Sequence, residues 1–413
     1  MLKIAMLSTG EEVLHGDIVD TNAAWLSRLF FEQGLSLSKR STVGDNFNAL
    51  VEELMMLSFN SQVVIVNGGL GPTSDDLSAE AAARAADVEL QLNQQWLQEL
   101  EAFFAGRGKP MPESNRKQAM LPAGSVMLDN PIGTACGFKM TINDCVFYFT
   151  PGVPKEFKLM VEQVIIPDLK SSHPDTDGQA CSRLYTLGSS ESALSDKLDK
   201  LELPEGYQIG YRSYLPFIEV KLFGPKEDLD NRVKLAQLIF SLIEPYVVSV
   251  DEPMVSHLGH LIADKKQSIA ISEQSTQGWL CNWLHSDPNA QSYCGHGWVL
   301  GSQVDLGEHE QDSLAAVFAL AGATREKCAT DIAVVTGKLH GDSFAVAIST
   351  SQGEWGKRFS FRRKLSAAEQ KELIGTVAGD MLRRYLAGKA IFAHYSALES
   401  DKEMHVPSSA ISQ

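Results

Sequence analysis

The sequence predicts an α/β protein: a doubly wound sheet at the N-terminus, a small α+β piece in the middle and a second α/β domain after it. Three observations carry this. Strand-type apolar runs alternate with helix-period runs through the first part of the chain, which implies right-handed βαβ units. A glycine-rich stretch, Asn67-Gly68-Gly69-Leu70-Gly71-Pro72-Thr73, lies between one such strand and the helix that follows. The composition then breaks at residues 171–178 (SSHPDTDG), a polar linker.

Taken in order, residues 4–8 make a first buried strand that stops at Ser8-Thr9-Gly10-Glu11-Glu12, and residues 22–33 carry the apolar period of a helix. A strand over 35–43 and a helix over 47–59 follow. Residues 62–67 (QVVIVN) are β-branched and bounded by glycine, as a buried parallel strand is. Helices over 78–86 and 94–107 come next. A strand over 145–150 (CVFYFT) is closed by Pro151-Gly152-Val153-Pro154 and a helix from Lys155. Beyond the linker, a strand at Arg183, a helix over 191–201 and strands over 207–212 and 217–223 make a piece spanning 180–252. A third region, 256–396, has strands over 269–272, 297–301, 332–336 and 343–349, with helices over 312–321 and 367–386. The tail from Ala397 is polar and is expected to be disordered.

Bulk properties narrow the function classes. A chain of 413 residues exceeds one ordinary core, so two or three domains are expected. A hydrophobic content of 44% with 21% charged residues is that of a folded soluble protein. The net charge of −16 speaks against nucleic-acid and membrane-surface partners. A small phosphorylated ligand stays open, since local amides and one or two cations outweigh a diffuse field. No apolar run approaches the about 18 residues that a membrane helix needs, and the apolar start is too short for a signal peptide. The 6 cysteines are scattered without a CxxC pair and read as buried thiols. A cytoplasmic protein is expected.

In open α/β sheets ligands bind at the carboxyl ends of strands, and residues 67–76 occupy such a junction. Gly68, Gly69 and Gly71 let the backbone approach a ligand and expose N–H groups to an anion, while Asn67, Pro72, Thr73 and Ser74 complete the loop. Asp75 and Asp76 cannot welcome phosphate directly. As a pair they suit a divalent cation such as Mg²⁺ bridging to phosphate oxygens; alternatively one of them N-caps the helix beginning near Leu77. Capping accounts for one aspartate but not for three glycines. Other polar segments fall where an α/β site would want them: Ser8, Gly10 and Glu12 after the first strand, Asp45 after the second, and Gly152 after the last. Asp20-Thr21-Asn22 opens the first helix, and Asp20 reads equally as a ligand or as an N-cap. Asn115-Arg116-Lys117-Gln118 is a polar-basic cluster that suits a phosphate or carboxylate, or else forms a solvated helix face.

Six ordered segments make a resemblance specific: STGEEVLHGDIVDTNAAWL, VGDN, NGGLGPTSDDLSAE, SNRKQAMLP, GTACGF and TPGVPKEF. Across nearly all of residues 1–165 they resemble the N-terminal domain of the CinA (competence/damage-inducible protein A) family. That domain is similar to the molybdopterin-binding fold of the MoaB/MogA proteins, so the resemblance implies a MogA-like doubly wound sheet over 1–170. It places Asp45 and Asp76 at the positions of the molybdopterin enzymes' functional aspartates. It further implies a homodimer and an ADP-ribose pyrophosphatase, dependent on a divalent cation (Mg²⁺ or Co²⁺) and on K⁺, releasing AMP and ribose 5-phosphate. In that scheme Asp76 and Asp75 hold the metal, Asp45 is the base for a water, and Lys117 or Arg116 stabilises the departing phosphate. Asp20, Thr21 and Asn22 hold a ribose or the metal shell. Cys136 stands where the family usually has proline. Two rivals remain beside this scheme, a molybdopterin-handling enzyme and a non-catalytic binding protein.

The middle piece, with Leu187-Gly188, Glu191 and Ile209-Gly210-Tyr211, resembles a small KH-type domain. Its acidic surroundings make it a spacer and dimer element rather than an RNA reader. The last region resembles the CinA C-terminal domain, in which the serine of an AESCTGG segment is the nucleophile that deamidates nicotinamide mononucleotide. Here the corresponding stretch is Ser272-Glu273-Gln274-Ser275-Thr276-Gln277-Gly278, with Gln274 in the nucleophile's place. Leu300 replaces a tyrosine and Asp305 a lysine. Serine-based hydrolysis needs the hydroxyl and a base, so this domain is expected to be an inactive scaffold or ligand sensor.

Overall fold

A computed structural model describes residues 2–174, 178–301, 304 and 312–411. The chain divides into two compact units, Met1–Ala180 with Pro225–Glu227, and Cys181–Gly224 with Asp228–Gln413.

Unit 1 is built on strands β1 (Ile4–Thr9), β2 (Leu37–Val43), β3 (Val63–Asn67), β6 (Val126–Leu128), β7 (Gly137–Ile142) and β8 (Cys145–Thr150), with β4 (Leu90–Leu92) and β5 (Met120–Pro122) in a separate ribbon. The main sheet runs β2-β1-β3-β8-β7-β6. Its first four strands are parallel and β7 and β6 are antiparallel additions. Every residue of β1 and β3 is buried, as strands covered on both faces must be. Alternation along β1 sends Ile4 and Met6 to one face, with Leu26, Phe30 and Phe157, and Ala5 and Leu7 to the other, with Leu50, Leu54 and Ala81. Helix starts are set by side chains: Asp20 accepts from the Ala23 N–H and Asn46 from the Ala49 N–H. The register sets Ser8 beside Asn67, and Asn67 beside Thr150. The carboxyl ends of β1, β3 and β8 therefore lie in one row.

Unit 2 holds two sheets. β9 (Gln179–Leu187), β10 (Gln208–Tyr214), β11 (Phe217–Pro225) and β12 (Val247–Val250) order as β10-β11-β9-β12. β13 (Ile269–Glu273), β14 (Cys294–Val299), β15 (Ile332–Thr336), β16 (Ser343–Thr350), β17 (Gly353–Phe361) and β18 (Leu398–Pro407) order as β14-β13-β15-β16-β17-β18. Leu187 of β9 and Val248 of β12 share a buried cluster with Leu258, Ile269 and Tyr395, so the middle piece and the last region pack as one body. The expected disordered tail is instead β18, antiparallel to β17 from Leu398 opposite Phe361 to Pro407 opposite Gly353. An edge strand needs only ladder partners, so its polar side chains can all face solvent. Among the described residues no helix is long and apolar enough to cross a membrane, and all six cysteines are free thiols.

Candidate functional site

A cleft of about 500 Å³ opens at the carboxyl ends of β1, β3 and β8. Its floor is the glycine loop after β3. Gly68 and Gly69 have φ of 108° and 69°, and a Cβ on Gly69 would lie 2.3 Å from the Ser78 hydroxyl, so only glycine fits there. Ser78 closes the loop: its hydroxyl donates to the Gly68 carbonyl at 2.8 Å and its N–H to the Gly69 carbonyl at 3.0 Å. Asp76 Oδ2 accepts from the Thr73 N–H at 2.9 Å and from the Thr73 hydroxyl. The Gly68 N–H donates to Thr150 O at 2.9 Å. Two amides of the expected anion cradle are thus already spent on holding the loop.

The turn over Glu113–Ala119 braces this loop. Gln118 Nε2 donates to the Leu70 carbonyl at 3.2 Å, and Asn115 Nδ2 holds Gln118 Oε1 at 2.7 Å. Lys117 Nζ reaches the Thr73 carbonyl at 3.1 Å and Glu80 at 3.4 Å. On the other rim, the Glu11 N–H donates to Asp45 Oδ2 at 3.1 Å. Asp20 accepts from the Ser8 hydroxyl at 2.6 Å and the Ala23 N–H at 2.8 Å. Asn22 Nδ2 donates to Gly152 O at 2.9 Å and Asn67 Oδ1 at 3.4 Å, while Asn22 Oδ1 is buried without a partner. Glu156, in the first turn of Pro154–Met160, accepts from Asn130 Nδ2 at 2.8 Å.

The lining carries the carboxylates of Glu12, Asp20, Asp45, Asp75, Asp76 and Glu156, and no lysine, arginine or histidine among its described residues. Burial pushes the Asp45 carboxyl up, as do the charges of Glu12, Asp75 and Glu11, against the opposing hydrogen bond from the Glu11 N–H. Asp75 is held below the ordinary value by the Thr73 hydroxyl, which it shares with Asp76, then by its own N–H and the charge of Lys117.

Of the residues picked from sequence, Gly10, Glu12, Asp20, Thr21, Asn22, Asp45, Asn67, Gly68, Gly69, Gly71, Pro72, Asp75, Asp76 and Gly152 line the cleft. Five do not. Ser8 is turned to Asp20, Thr73 to Asp76, and Asn115 is buried against Gln118. Arg116 is exposed, and Lys117 lines a separate cavity of about 150 Å³ with Leu70, Gln118 and Cys136. Asp20 does cap its helix, and it lines the cleft as well. Asp75 and Asp76, the pair expected to hold a metal, both line the cleft, with Asp76 Oδ2 taken by Thr73; among the described residues no three His, Cys, Asp or Glu side chains converge as a metal site of their own. Of the cluster Asn115-Arg116-Lys117-Gln118 only Gln118 lines the cleft, and sequence reasoning missed Glu156 as a lining group. Glu156 resembles any acidic residue in a helix's first turn.

In unit 2, Gln274 follows β13 and is only 6% exposed. Its two amide atoms and the Ser275 hydroxyl are buried without partners. The neighbouring Glu273 carboxylate accepts from the N–H groups of Gly278, Leu280 and Cys281. Leu300 packs against the cluster of Leu314 and Val317, which is why an apolar residue suits that position; Asp305 lies outside the described residues.

Residues 5–171 match the family model of a probable molybdopterin binding domain. Over 410 residues the chain is 41% identical to a CinA-like protein of Escherichia coli strain UMN026, spanning 99% of this chain and 100% of that one. The chain belongs to the CinA-like protein family. A second relative of this CinA-like chain, from Escherichia coli K12, is 41% identical over 98% of this chain and 99% of its own length, and is named NMN amidohydrolase-like protein YfaY. A CinA protein structure from Thermoplasma acidophilum is 26% identical and covers 39% of this chain and 94% of its own, with a TM-score of 0.36. These names correct the enzyme expectation: the full-length relatives are called CinA-like or NMN amidohydrolase-like, which speaks for a different hydrolase and not for an ADP-ribose pyrophosphatase.

Proposed function

We propose that unit 1 of this CinA-like protein binds a small phosphorylated metabolite of the nucleotide or pterin class, together with a divalent cation. The observation that carries this reading is the charge of the cleft: its carboxylates from Glu12 to Glu156 face an opening without a lysine or arginine. A phosphate enters such a place only with a cation between it and the carboxylates. Mg²⁺ suits this arrangement, because it is usually held by one or two carboxylates plus the ligand's own phosphate oxygens. Asp75 and the second oxygen of Asp76 are the groups that would hold it, with the ligand's phosphate oxygens completing the site. When bound, the cation neutralises the facing charges. The protein's own part is to fix the loop through Ser78, Asp76 and Lys117.

Thermal unfolding of the purified chain with nucleoside monophosphates tests this. The midpoint should rise only when nucleotide and Mg²⁺ are both present, since a ligand that binds the folded state alone stabilises it by mass action. No shift for any phosphorylated ligand, or equal shifts in a chelator, would sink the reading.

A second reading concerns unit 2 and is favoured by the orphaned Gln274 amide and Ser275 hydroxyl at the end of β13. Buried polar groups without partners are costly unless something satisfies them. Together with the relative named NMN amidohydrolase-like, they support a site for a polar amide-bearing ligand. Ammonia release from nicotinamide mononucleotide, lost in Ser275→Ala, would make it hydrolytic; saturable binding without release would make it a sensor. Absence of both would remove it.

A further inference from the structure

Unit 2 has a cleft of about 400 Å³ that neither functional reading uses. The end of β9 and the turn from β10 to β11 form one side; the other comes from segments flanking the helix Ala367–Leu386 and from that helix's first turns. The two sides are locked together. The Ser396 N–H donates to the Gly188 carbonyl at 3.2 Å, and a Cβ on Gly188, at φ 89°, would lie 2.4 Å from the His394 carbonyl. Buried Leu373 and Tyr395 are part of the lining, and the Tyr395 hydroxyl is committed to Asp380. The charged groups of the cleft are Arg363 and Glu369. The Arg363 guanidinium has no hydrogen bond or ion pair among the described residues, whereas its neighbour Arg362 is taken by Glu399 at 3.2 Å and the Leu398 carbonyl at 3.1 Å. Glu369 Oε2 accepts from the Ser366 N–H and hydroxyl, both at 2.7 Å, which leaves Oε1 without a partner among the described residues. The Ser366 hydroxyl and N–H, and then the charge of Arg363, hold this carboxyl below the ordinary range, so it is ionised at neutral pH. Beside these charges the turn offers half-buried apolar surface from Leu215, Pro216 and Phe217.

Two opposite charges that share a cleft without pairing describe a receptor for a ligand that carries both. A plain anion would satisfy Arg363 but would meet the Glu369 carboxylate as a like charge. A plain cation meets the same difficulty at Arg363. A zwitterion answers both groups at once, and the apolar turn has room for a hydrocarbon body beside it. An α-amino acid bears all three features on one carbon, and its carboxylate matches the planar fork of a guanidinium. The volume is that of a small-molecule site, which spans roughly 300–1,000 Å³. We infer that this cleft binds a free α-amino acid with a large apolar side chain: carboxylate on Arg363, ammonium on Glu369 Oε1, side chain against Leu215, Pro216 and Phe217. The site is separate from the unit 1 cleft and from Gln274 and Ser275, none of which lines it.

Titration calorimetry on the full chain tests this with L-phenylalanine, L-leucine and glycine, and with two mimics. Phenylalaninamide lacks the carboxylate and 3-phenylpropanoate lacks the ammonium. L-Phenylalanine or L-leucine should bind about tenfold or more tightly than glycine and than either mimic, since each mimic loses a charge-assisted contact. Arg363→Gln should weaken the amino acid by a similar factor while leaving the ligand-free thermal midpoint unchanged, because the guanidinium holds nothing in the free protein. Glu369→Gln, which keeps the capping box with Ser366, should remove the preference for the amino acid over 3-phenylpropanoate. Binding of 3-phenylpropanoate as tight as that of L-phenylalanine would make this a plain carboxylate site and overturn the assignment. So would the failure of both apolar amino acids to bind, or binding that Arg363→Gln leaves unchanged.

Discussion

Lys117 Nζ donates to the main-chain carbonyl of Thr73 at 3.1 Å, so this basic residue holds the backbone of the glycine loop and does not line the cleft. The lysine is also within 3.4 Å of Glu80. A lysine on a loop carbonyl acts on ligand affinity through the shape of the loop, whereas a lysine on phosphate acts through charge.

Lys117→Met is therefore expected to keep the packing of the stem and to lower stability by no more than about 1 kcal/mol, as a part-exposed pair and one hydrogen bond warrant. The affinity for a phosphorylated ligand should fall by about tenfold or less. Calorimetry at two salt concentrations checks this. A loss of a hundredfold or more, with a salt slope changed by the substitution, would place the lysine on the phosphate after all.

Asp45 gives a prediction of opposite sign. Burial and the carboxylates of Glu12, Asp75 and Glu11 raise its pKa in the folded state. The folded protein then binds a proton more tightly than the unfolded chain does, so this group's contribution is present below the unfolded value and is lost as pH rises through the folded one. At neutral pH the ionised carboxylate destabilises unit 1. Asp45→Asn keeps an acceptor for the Glu11 N–H, and in the absence of cation it should raise the thermal midpoint at pH 7 but not at pH 3. It should also weaken the Mg²⁺-dependent stabilisation by nucleotide. A midpoint lowered equally at both pH values would show that Asp45 is only a structural acceptor.

Much of unit 1 was legible because its signals are local. Period-2 and period-3.6 runs place β1, β3 and β8 and the helices between them within a residue or two, and the glycine loop marks the sheet's binding edge. What escaped was set by tertiary contact. Nothing local says that Ser8 turns to Asp20 while Asn22 faces the cleft, or that Lys117 points at a carbonyl and Gln118 at the cleft wall. Glu156 is visible only once Asn130 and Gly133, distant in sequence, are seen around it. The misread tail has the same cause: the residues of β18 carry no apolar alternation, and only the ladder to β17 makes them a strand.

That ladder can be removed. Truncation after Ala397 would strip β17 of its partner along Gly353–Phe361 and would delete Leu398 and Val406, which pack against the buried clusters of unit 2. An uncovered edge strand is a template for pairing with another chain. The truncated protein should unfold at lower denaturant and form higher-order species on size-exclusion chromatography, while nucleotide binding by unit 1 persists. A truncated chain that stays as stable and as monodisperse as the full one would return the tail to the status of a dispensable appendage.

The most damaging single substitution in unit 2 should be Asp380→Ala. Asp380 is 1% exposed and accepts from Arg383 Nε at 2.8 Å, Arg384 Nε at 2.8 Å and the Tyr395 hydroxyl at 2.8 Å. Burial opposes its ionisation, but the two guanidiniums outweigh that and hold its carboxyl below the usual range. Arg383 is itself only 3% exposed. Removing the carboxylate leaves that cation desolvated with its counter-charge gone, and breaking one side of a buried pair costs about 3–5 kcal/mol. The linkage runs as for any depressed carboxyl: the stabilisation is present above the unfolded value and disappears as pH falls through the folded one. Denaturant melts of the wild-type and Asp380→Ala chains should therefore differ widely at pH 7 and converge in acid. A difference at pH 7 below about 1 kcal/mol, within the range of an exposed ion pair, would mean that water reaches Arg383 when the aspartate is gone and that the site is not sealed.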